Sequence, residues 1–253
     1  MYMSLFRKLY GLKPKNIVHV GAHLAEERSE YEKSGILGTG VCIWIEAQPD
    51  KAAYCRKLFG DSQQHRVIEA LVWSKSNVEL VLNITNKTAS SSVFSLEDHK
   101  NIYPEIKVIE KLKKKSSTLF EILPKDIEID FMVLDIQGAE LEALIGLGDR
   151  IKEVKWIYTE VSKRDLYKFG VHYSELNKYL EDRGFVKKFV EWDRNAGWGD
   201  ALYLRRELWQ SSAILQMQRF LMWLYRRIYS RIPQPAFPIL VKFKRGIKHW
   251  IPS

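Results

Sequence analysis

Short apolar runs alternate with charged, helix-favouring stretches in the first half of the chain. Residues 16–20 (NIVHV) and 41–46 (VCIWIE) are apolar runs of strand length, and the stretches that follow them, 25–33 and 49–59, favour helices. Residues 66–73 predict a third strand. Strands that alternate with helices of about ten residues predict βαβ units, and hence a parallel sheet with helices on both faces.

The middle of the chain has weaker signals. The alternation of apolar and polar residues over 78–84 predicts a further strand, and 88–95 (TASSSVFS) predicts a loop of small residues. Residues 111–115 (KLKKK) predict a solvent-exposed basic turn. This part of the chain therefore adds one predicted strand.

A second block of strands and helices begins at residue 131. Residues 131–134 (FMVL) form a continuous apolar run, typical of a strand buried on both faces, and 139–147 predicts the helix after it. A strand at 156–161 and a helix at 174–183 follow. The pattern predicts that 131–134 is a central strand.

The last strands of this block differ from the earlier ones. Residues 185–190 and 201–204 predict two strands joined by a short connection, 193–199, which indicates an antiparallel hairpin. A mostly parallel α/β sheet that closes on such a hairpin resembles the class I methyltransferase (Rossmann-like) architecture more closely than a dinucleotide-binding fold.

Composition narrows the class of protein. The chain has 253 residues, of which 46% are hydrophobic and 28% charged, as in globular proteins. We expect no transmembrane helix, because no apolar stretch approaches the roughly 20 residues that a span needs. We also expect no secretory signal in 1–15. Two cysteines outside any CxxC pair predict reduced thiols, as in the cytoplasm.

The net charge of +9 is concentrated at the C-terminal end. Residues 207–253 contain eight basic residues, one acid and eight aromatic residues. We therefore predict three parts: an N-terminal segment (1–15), a main domain (16–206) and a basic aromatic extension (207–253) whose residues 208–232 favour a helix. The helix either packs on the domain or on a second copy in a homo-oligomer, or it binds an anionic membrane surface.

Strand ends carry the candidate chemistry. Gly21 lies where an open α/β sheet offers backbone N–H groups and a helix N-terminus to a ligand, and the absence of GxGxxG argues against a dinucleotide. Glu46 ends the second strand, where a carboxylate typically accepts hydrogen bonds from ribose hydroxyls. Asp135 ends the 131–134 strand, where it either caps a helix or orients and deprotonates an acceptor hydroxyl.

Other polar residues leave alternatives open. Glu160 is either a surface acid or part of the site, and His99 follows the small-residue loop that is expected to lie over it. His23 is a better candidate for ligand contact than His19, and neither has partners at the spacing of zinc ligands, so no metal is predicted. The predicted catalytic residues are Asp135, Glu160 and His99. The predicted cofactor contacts are Gly21, Ala22, His23, Glu46, Ala70 and Asp135.

Six segments, VHVGAH, WIEAQP, SSSVF, FMVLDIQGAELEAL, YTEV and WGDALYLR, resemble in order and spacing the FkbM family of S-adenosylmethionine-dependent methyltransferases. The resemblance covers about residues 16–206. It implies S-adenosyl-L-methionine as cofactor and O-methylation, often of sugar hydroxyls in polysaccharides, lipopolysaccharides or secondary metabolites. Many members have Asp at the position of His19 and Gly at that of Ala25, and Glu26 or Glu27 is available to replace the missing acid.

The main hypothesis is an O-methyltransferase whose acceptor is a saccharide or glycolipid from polysaccharide biosynthesis. We expect it in the cytoplasm, either free or bound peripherally at the inner face of the membrane. An RNA methyltransferase is the first alternative, but nucleic acid is an unlikely partner because residues 1–206 have a net charge of only +2 and no NPPY-type motif is present. A non-catalytic adenosine-binding scaffold is the second, supported by His19. Cofactor binding without turnover would distinguish the scaffold from the enzyme.

Overall fold

The computed structural model describes residues 3–95, 103–163, 170–193 and 197–210, together with positions 217, 220, 221 and 223. In these ranges the helices are α1 (Met3–Tyr10), α2 (Arg28–Ser34), α3 (Pro49–Phe59), α4 (Leu119–Ile122), α5 (Glu140–Gly146), α6 (Tyr173–Asp182) and α7 (Arg206–Gln210). The strands are β1 (Ile17–Val20), β2 (Cys42–Glu46), β3 (His65–Glu69), β4 (Leu71–Val72), β5 (Glu79–Thr85), β6 (Val108–Ser117), β7 (Phe131–Leu134), β8 (Trp156–Ser162), β9 (Phe185–Trp192) and β10 (Trp198–Arg205).

The main sheet has seven strands in the order β3-β2-β1-β7-β8-β10-β9. Strands β3, β2, β1, β7 and β8 are parallel, whereas β10 runs antiparallel to both of its neighbours, β8 and β9. The central position of β7 explains why its four residues are all buried. The predicted architecture, a mostly parallel sheet that closes on an antiparallel hairpin, is confirmed.

A second, three-stranded sheet has the order β4-β6-β5 and corrects two predictions. Residues 111–115 are not a turn but part of β6, because their lysines alternate along a strand with one face open to water. Lys114 is half-buried, and its Nζ donates to Ala47 O (2.7 Å) and pairs with Glu69 (2.9 Å). The predicted strand 66–73 is in fact two strands, β3 and β4, which belong to different sheets.

Helices cover both faces of the main sheet. One apolar layer includes Leu119 of α4, Leu144 of α5 and Leu176 of α6. The opposite layer includes residues of α1, α2 and α3, among them the fully buried Phe6 and Tyr31. The N-terminal helix α1 thus packs on the sheet. Both cysteines are buried free thiols.

The chain divides into a unit of residues 1–209 and a unit of residues 210–253. Most of the predicted helix 208–232 lies outside the described residues, although positions 217, 220, 221 and 223 are helical. Among the helices in the described parts of the chain, none has the length and apolar character to cross a bilayer.

A buried carboxylate holds the N-terminal ends of the central strands together. Asp130 Oδ2 accepts the backbone N–H groups of Lys15 and Asn16, each at 3.0 Å, and its other oxygen pairs with Lys155. We expect Asp130→Ala to lower the free energy of unfolding by about 2–4 kcal/mol, because a buried N–H loses its acceptor. Urea denaturation measures this loss, with Asp126→Ala, an exposed aspartate nearby, as control; equal midpoints for both variants would contradict the expectation.

Candidate active site

One residue in or directly after each strand, in most cases an acidic one, forms a row across the main sheet at the carboxyl ends of its parallel strands. Val20 pairs with Ile45 on one side and with Leu134 on the other, so the residues that follow them are aligned across the strands. Pairings on the remaining strands extend this row to both edges of the sheet. In spatial order the row contains Glu69, Glu46, Gly21, Asp135, Glu160, Asp200 and Glu191. Gly21 is the one position in it without a side chain.

The backbones of β1 and β7 approach very closely at this glycine. A Cβ atom on Gly21 would lie 1.8 Å from the carbonyl oxygen of Asp135, which is an impossible contact. The residue also has φ +87°, in the region that favours glycine. Only glycine therefore fits at this position between Glu46 and Asp135.

The amides of the turn after β1 are bonded within the protein, which corrects the expectation that they face a ligand. The N–H groups of Gly21 and Ala22 both donate to Ile45 O (2.9 and 3.0 Å), and that of His23 donates to Glu46 Oε2 (2.7 Å). Helix α2 begins seven residues after the glycine, so its N-terminus does not adjoin this turn. These three amides are therefore not free to donate to a ligand.

Glu46 is buried and fixes two backbone segments. One carboxylate oxygen accepts the His23 N–H and the other accepts the Gln48 N–H, both at 2.7 Å. Burial raises the pKa of Glu46, and the two N–H groups oppose that rise. Each oxygen retains a further lone pair, so the carboxylate can still accept a hydrogen bond from a ligand hydroxyl.

A loop after β5 forms the opposite wall of the cleft and is hydrogen-bonded to the strand ends. His23 Nε2 lies 2.7 Å from Thr88 Oγ1, and Gln48 Nε2 donates to Thr88 O (3.2 Å). Ser92 Oγ donates to Gln137 O (2.7 Å). His23 and Gln137 both have positive φ, 45° and 54°, at a typical cost of about 1–2 kcal/mol each. These contacts hold them in that conformation.

The cleft between these walls has a cavity volume of about 70 Å³. One side is apolar and the other is polar. The apolar side includes Ala70, Leu71, Val72 and Leu82; the polar side includes Glu46, Gln48, Thr88, Asp135 and Gln137.

Two carboxylates at one end of the cleft are joined by an amide. Gln137 Nε2 donates to Asp135 Oδ1 (2.7 Å) and to Glu160 Oε2 (2.8 Å). Asp135 is open to the cleft, yet crowding by the surrounding protein raises its pKa. Burial, and then the charge of Asp135, raises the pKa of Glu160 well above its ordinary range. The pair therefore retains a proton more readily than isolated carboxylates do.

Two further acids lie close to this pair. Burial raises the pKa of Asp200 to about 6, reinforced by the charge of Asp135 and opposed by a hydrogen bond from Tyr158. Burial also raises the pKa of Glu140 to about 7, although its Oε1 accepts the N–H groups of Ile136 (3.1 Å) and Gly138 (3.2 Å). Through these two hydrogen bonds Glu140 holds the backbone on both sides of Gln137.

His19 lies beneath the row rather than in the cleft. It is buried, stacks on Trp44 (ring centroids 5.0 Å apart) and hydrogen-bonds Tyr31 through Nδ1 (2.8 Å). Burial lowers the pKa of His19 to about 4, so the ring is neutral at pH 7. Glu27 lies 3.9 Å from its Nε2, whereas Glu26 is bound to His23. Within the described ranges no group of three or more His, Cys, Asp or Glu residues is arranged to hold a metal ion.

The structure brings most of the predicted site residues together. Gly21, His23, Glu46, Ala70 and Asp135 line the cleft, and Glu160 adjoins it through Gln137. Ala22 does not line the cleft; its side chain is buried in the core, because successive residues at a strand end point to opposite faces.

Some members of the site lay beyond the predictions. His99 lies outside the described residues, as do parts of the two loops expected on the acceptor side. Gln48 and Gln137 also line the cleft but are not among the predicted site residues. An available signal is their spacing, because each lies two residues after a strand-ending acid, in EAQ and DIQ.

A comparison with protein families matches the Methyltransferase FkbM domain to residues 19–187, about two thirds of the chain. The chain belongs to the FkbM methyltransferase family. Residues 19–187 are a methyltransferase domain of this family. No protein of curated function matches this FkbM-family chain.

Solved structures with similar folds are distant in sequence from this FkbM-family protein. Methyltransferase FkbM from Methylobacillus flagellatus KT has 15% identity and a TM-score of 0.49; the match covers 80% of this chain and 47% of that one, so this chain spans about half of its length. M. capricolum TrmK in complex with S-adenosylhomocysteine has 8% identity and a TM-score of 0.44. The match covers 96% of this chain and 93% of that one. Magnesium protoporphyrin IX methyltransferase from Synechocystis PCC 6803 has 9% identity and a TM-score of 0.44. The match covers 81% of this chain and 74% of that one.

Residues of the cleft suit parts of S-adenosylmethionine. The buried carboxylate of Glu46 suits ribose hydroxyls, and the apolar side beside Ala70 suits an adenine ring. The FkbM-family assignment and the chemistry of the cleft are therefore consistent with each other.

We expect Glu46→Gln to weaken S-adenosylhomocysteine binding about tenfold or more, because an amide replaces one acceptor of a charge-assisted hydrogen bond. Calorimetric titration measures the affinity. Glu69→Gln is the matched control, because Glu69 is the neighbouring acid of the same row but binds Lys114 and Arg56. Unchanged affinity in a folded Glu46→Gln protein would exclude Glu46 from the cofactor site.

The raised pKa of Asp200 predicts a pH effect on stability. The folded protein binds the Asp200 proton more tightly than the unfolded chain does. The protonated carboxyl therefore stabilises the fold at low pH, and this stabilisation is lost as pH rises from about 4 to about 6. Asp200→Asn cannot lose it, so we expect the difference in free energy of unfolding, variant minus wild type, to be roughly 1–3 kcal/mol larger at neutral pH than at acidic pH.

Urea unfolding across this pH range tests the Asp200 prediction. Asp149→Asn is the control with the opposite expected sign, because Lys152 lowers the pKa of the exposed Asp149. A stability difference for Asp200→Asn that does not change with pH would contradict the prediction.

Proposed function

We propose that this protein transfers a methyl group to a hydroxyl oxygen of a saccharide or glycolipid, such as a precursor in polysaccharide biosynthesis. The observation that carries the proposal is the Asp135–Gln137–Glu160 arrangement, which lies directly beyond Gly21 from the buried Glu46. A carboxylate beside a cofactor cleft is suited to accept the proton of a hydroxyl nucleophile.

The residues on the two sides of Gly21 have different tasks in this proposal. Glu46 accepts hydrogen bonds from the ribose hydroxyls, and Ala70 and its apolar neighbours pack against the adenine ring. Gly21 lies between them and Asp135, and His23 lies at the wall with Thr88. Bound S-adenosylmethionine supplies an activated methyl group on a positively charged sulfur.

Asp135 is the proposed base. It takes the proton of the acceptor hydroxyl as that oxygen attacks, and the amide of Gln137 fixes the direction of its carboxylate through Oδ1. Glu160, with its strongly raised pKa, shares a proton within the pair and limits the repulsion between the two acids. Correct positioning accounts for much of the acceleration in such a transfer.

The charge of the site favours a saccharide over RNA. Carboxylates occupy the row on both sides of Asp135, and the described residues that line the cleft include no lysine or arginine to pair with the phosphate backbone of a nucleic acid. Sugar hydroxyls, by contrast, donate hydrogen bonds to carboxylates. In this proposal the enzyme works in the cytoplasm, and at the inner face of the membrane when its acceptor is lipid-linked.

We expect Asp135→Asn to lower methyl transfer by a factor of roughly 10²–10⁴ and to leave S-adenosylhomocysteine affinity nearly unchanged, because the variant loses the base but keeps the cleft. The assay follows label from methyl-labelled S-adenosylmethionine into a panel of oligosaccharides, nucleotide sugars and glycolipids. Asp126→Asn, at an exposed site, is the control.

Different results overturn different parts of the proposal. Full activity of Asp135→Asn would remove Asp135 as the base. Methylation of RNA rather than of any saccharide would overturn the acceptor class. Wild-type protein that binds S-adenosylhomocysteine but methylates nothing in either class would favour the adenosine-binding scaffold.

A further inference from the structure

The charge of the protein divides sharply at the boundary between its two units. The chain contains 40 basic and 31 acidic residues, and residues 210–253 hold eight of the basic residues and none of the acidic ones. Residues 1–209 therefore have a net charge of only +1. The basic residues of 210–253 are Arg219, Arg226, Arg227, Arg231, Lys242, Lys244, Arg245 and Lys248.

Large apolar side chains are exposed in the same unit. Met217, Phe220, Leu221 and Trp223 are helical, and each exposes 50–57% of its surface. They fall within seven residues of sequence, and the rings of Phe220 and Trp223 stack with centroids 5.9 Å apart. A concentration of exposed apolar residues of this kind is typical of an interaction surface.

We propose that residues 210–253 bind the surface of an anionic lipid bilayer. An interfacial helix inserts apolar and aromatic side chains at the level of the headgroups, while arginine and lysine side chains contact acidic lipids. The segment FLMWLYRR (220–227) contains both kinds of residue next to each other. Charge complementarity and exposed apolar surface therefore favour the same partner.

Other partners fit these residues less well. Nucleic acid accounts for the basic residues and for stacking on Phe220 or Trp223, but Met217 and Leu221 have no ring on which a base stacks. Pairing of this segment with the same segment of a second copy would place eight positive charges against eight others, with no acid in the segment to neutralise them. A bilayer accepts the charges and the aliphatic side chains together.

The test is sedimentation of the full-length protein with phosphatidylcholine vesicles that contain phosphatidylserine, compared with phosphatidylcholine alone, at low and high salt. We expect binding to the anionic vesicles that weakens with salt. The variant Arg226→Gln/Arg227→Gln/Arg231→Gln should partition on the order of a hundredfold more weakly, because each basic residue near the surface strengthens binding about fivefold.

Matched variants separate this segment from general charge and hydrophobicity. Lys111→Gln/Lys113→Gln/Lys115→Gln removes the same charge from exposed positions of β6 and should bind almost as the wild type does. Phe220→Ala/Trp223→Ala should weaken binding tenfold or more. Its control, Ile109→Ala/Phe120→Ala, changes two other exposed apolar residues and should have little effect.

Several outcomes would overturn the proposal. One is equal sedimentation with anionic and neutral vesicles. A second is an equal loss of binding in the arginine and lysine triple variants. A third is no binding to anionic vesicles; binding of single-stranded RNA or self-association would then identify the other partner. Vesicle binding requires neither cofactor nor acceptor. The result is therefore independent of whether the protein methylates a saccharide.

Discussion

The backbones of β1 and β7 meet so closely at Gly21 that no side chain fits between them. Because neighbouring strands lie about 4.8 Å apart, Glu46 and Asp135 lie on either side of Gly21, roughly 10 Å from each other. A glycine in the middle of the row of acids is therefore what allows β1 and β7 to approach so closely beside the cleft. The buried Asp130 at the other end of the same strands helps to keep them in this register.

The two ends of the cleft share a local design. In each, an acid ends a strand and a glutamine two residues later bonds to the surrounding loops: Glu46 with Gln48, and Asp135 with Gln137. Their environments differ, because Glu46 is buried against backbone N–H groups whereas Asp135 is open to the cleft and lies beside other acids. Similar sequence at two strand ends thus produces one site suited to hold a ligand and another suited to accept a proton.

Much of the sheet could be predicted from sequence, because continuous apolar runs such as 131–134 are found in buried parallel strands. The acids at strand ends were also visible, but their alignment in one row depends on the strand order, which no single segment encodes. Residues 111–115 were mistaken for a turn because local charge does not reveal that β6 has a partner strand. Ala22 was misplaced because a motif does not show which face of the sheet a residue takes.

Gln137 belongs to both halves of the cleft. Its carbonyl oxygen accepts a hydrogen bond from Ser92 of the loop wall, while its amide donates to the two carboxylates. If a ligand that contacts this wall shifts it, Gln137 transmits the shift to Asp135 and Glu160. In that case, by reciprocity, ligands bound in the two halves would change each other's affinity by the same factor.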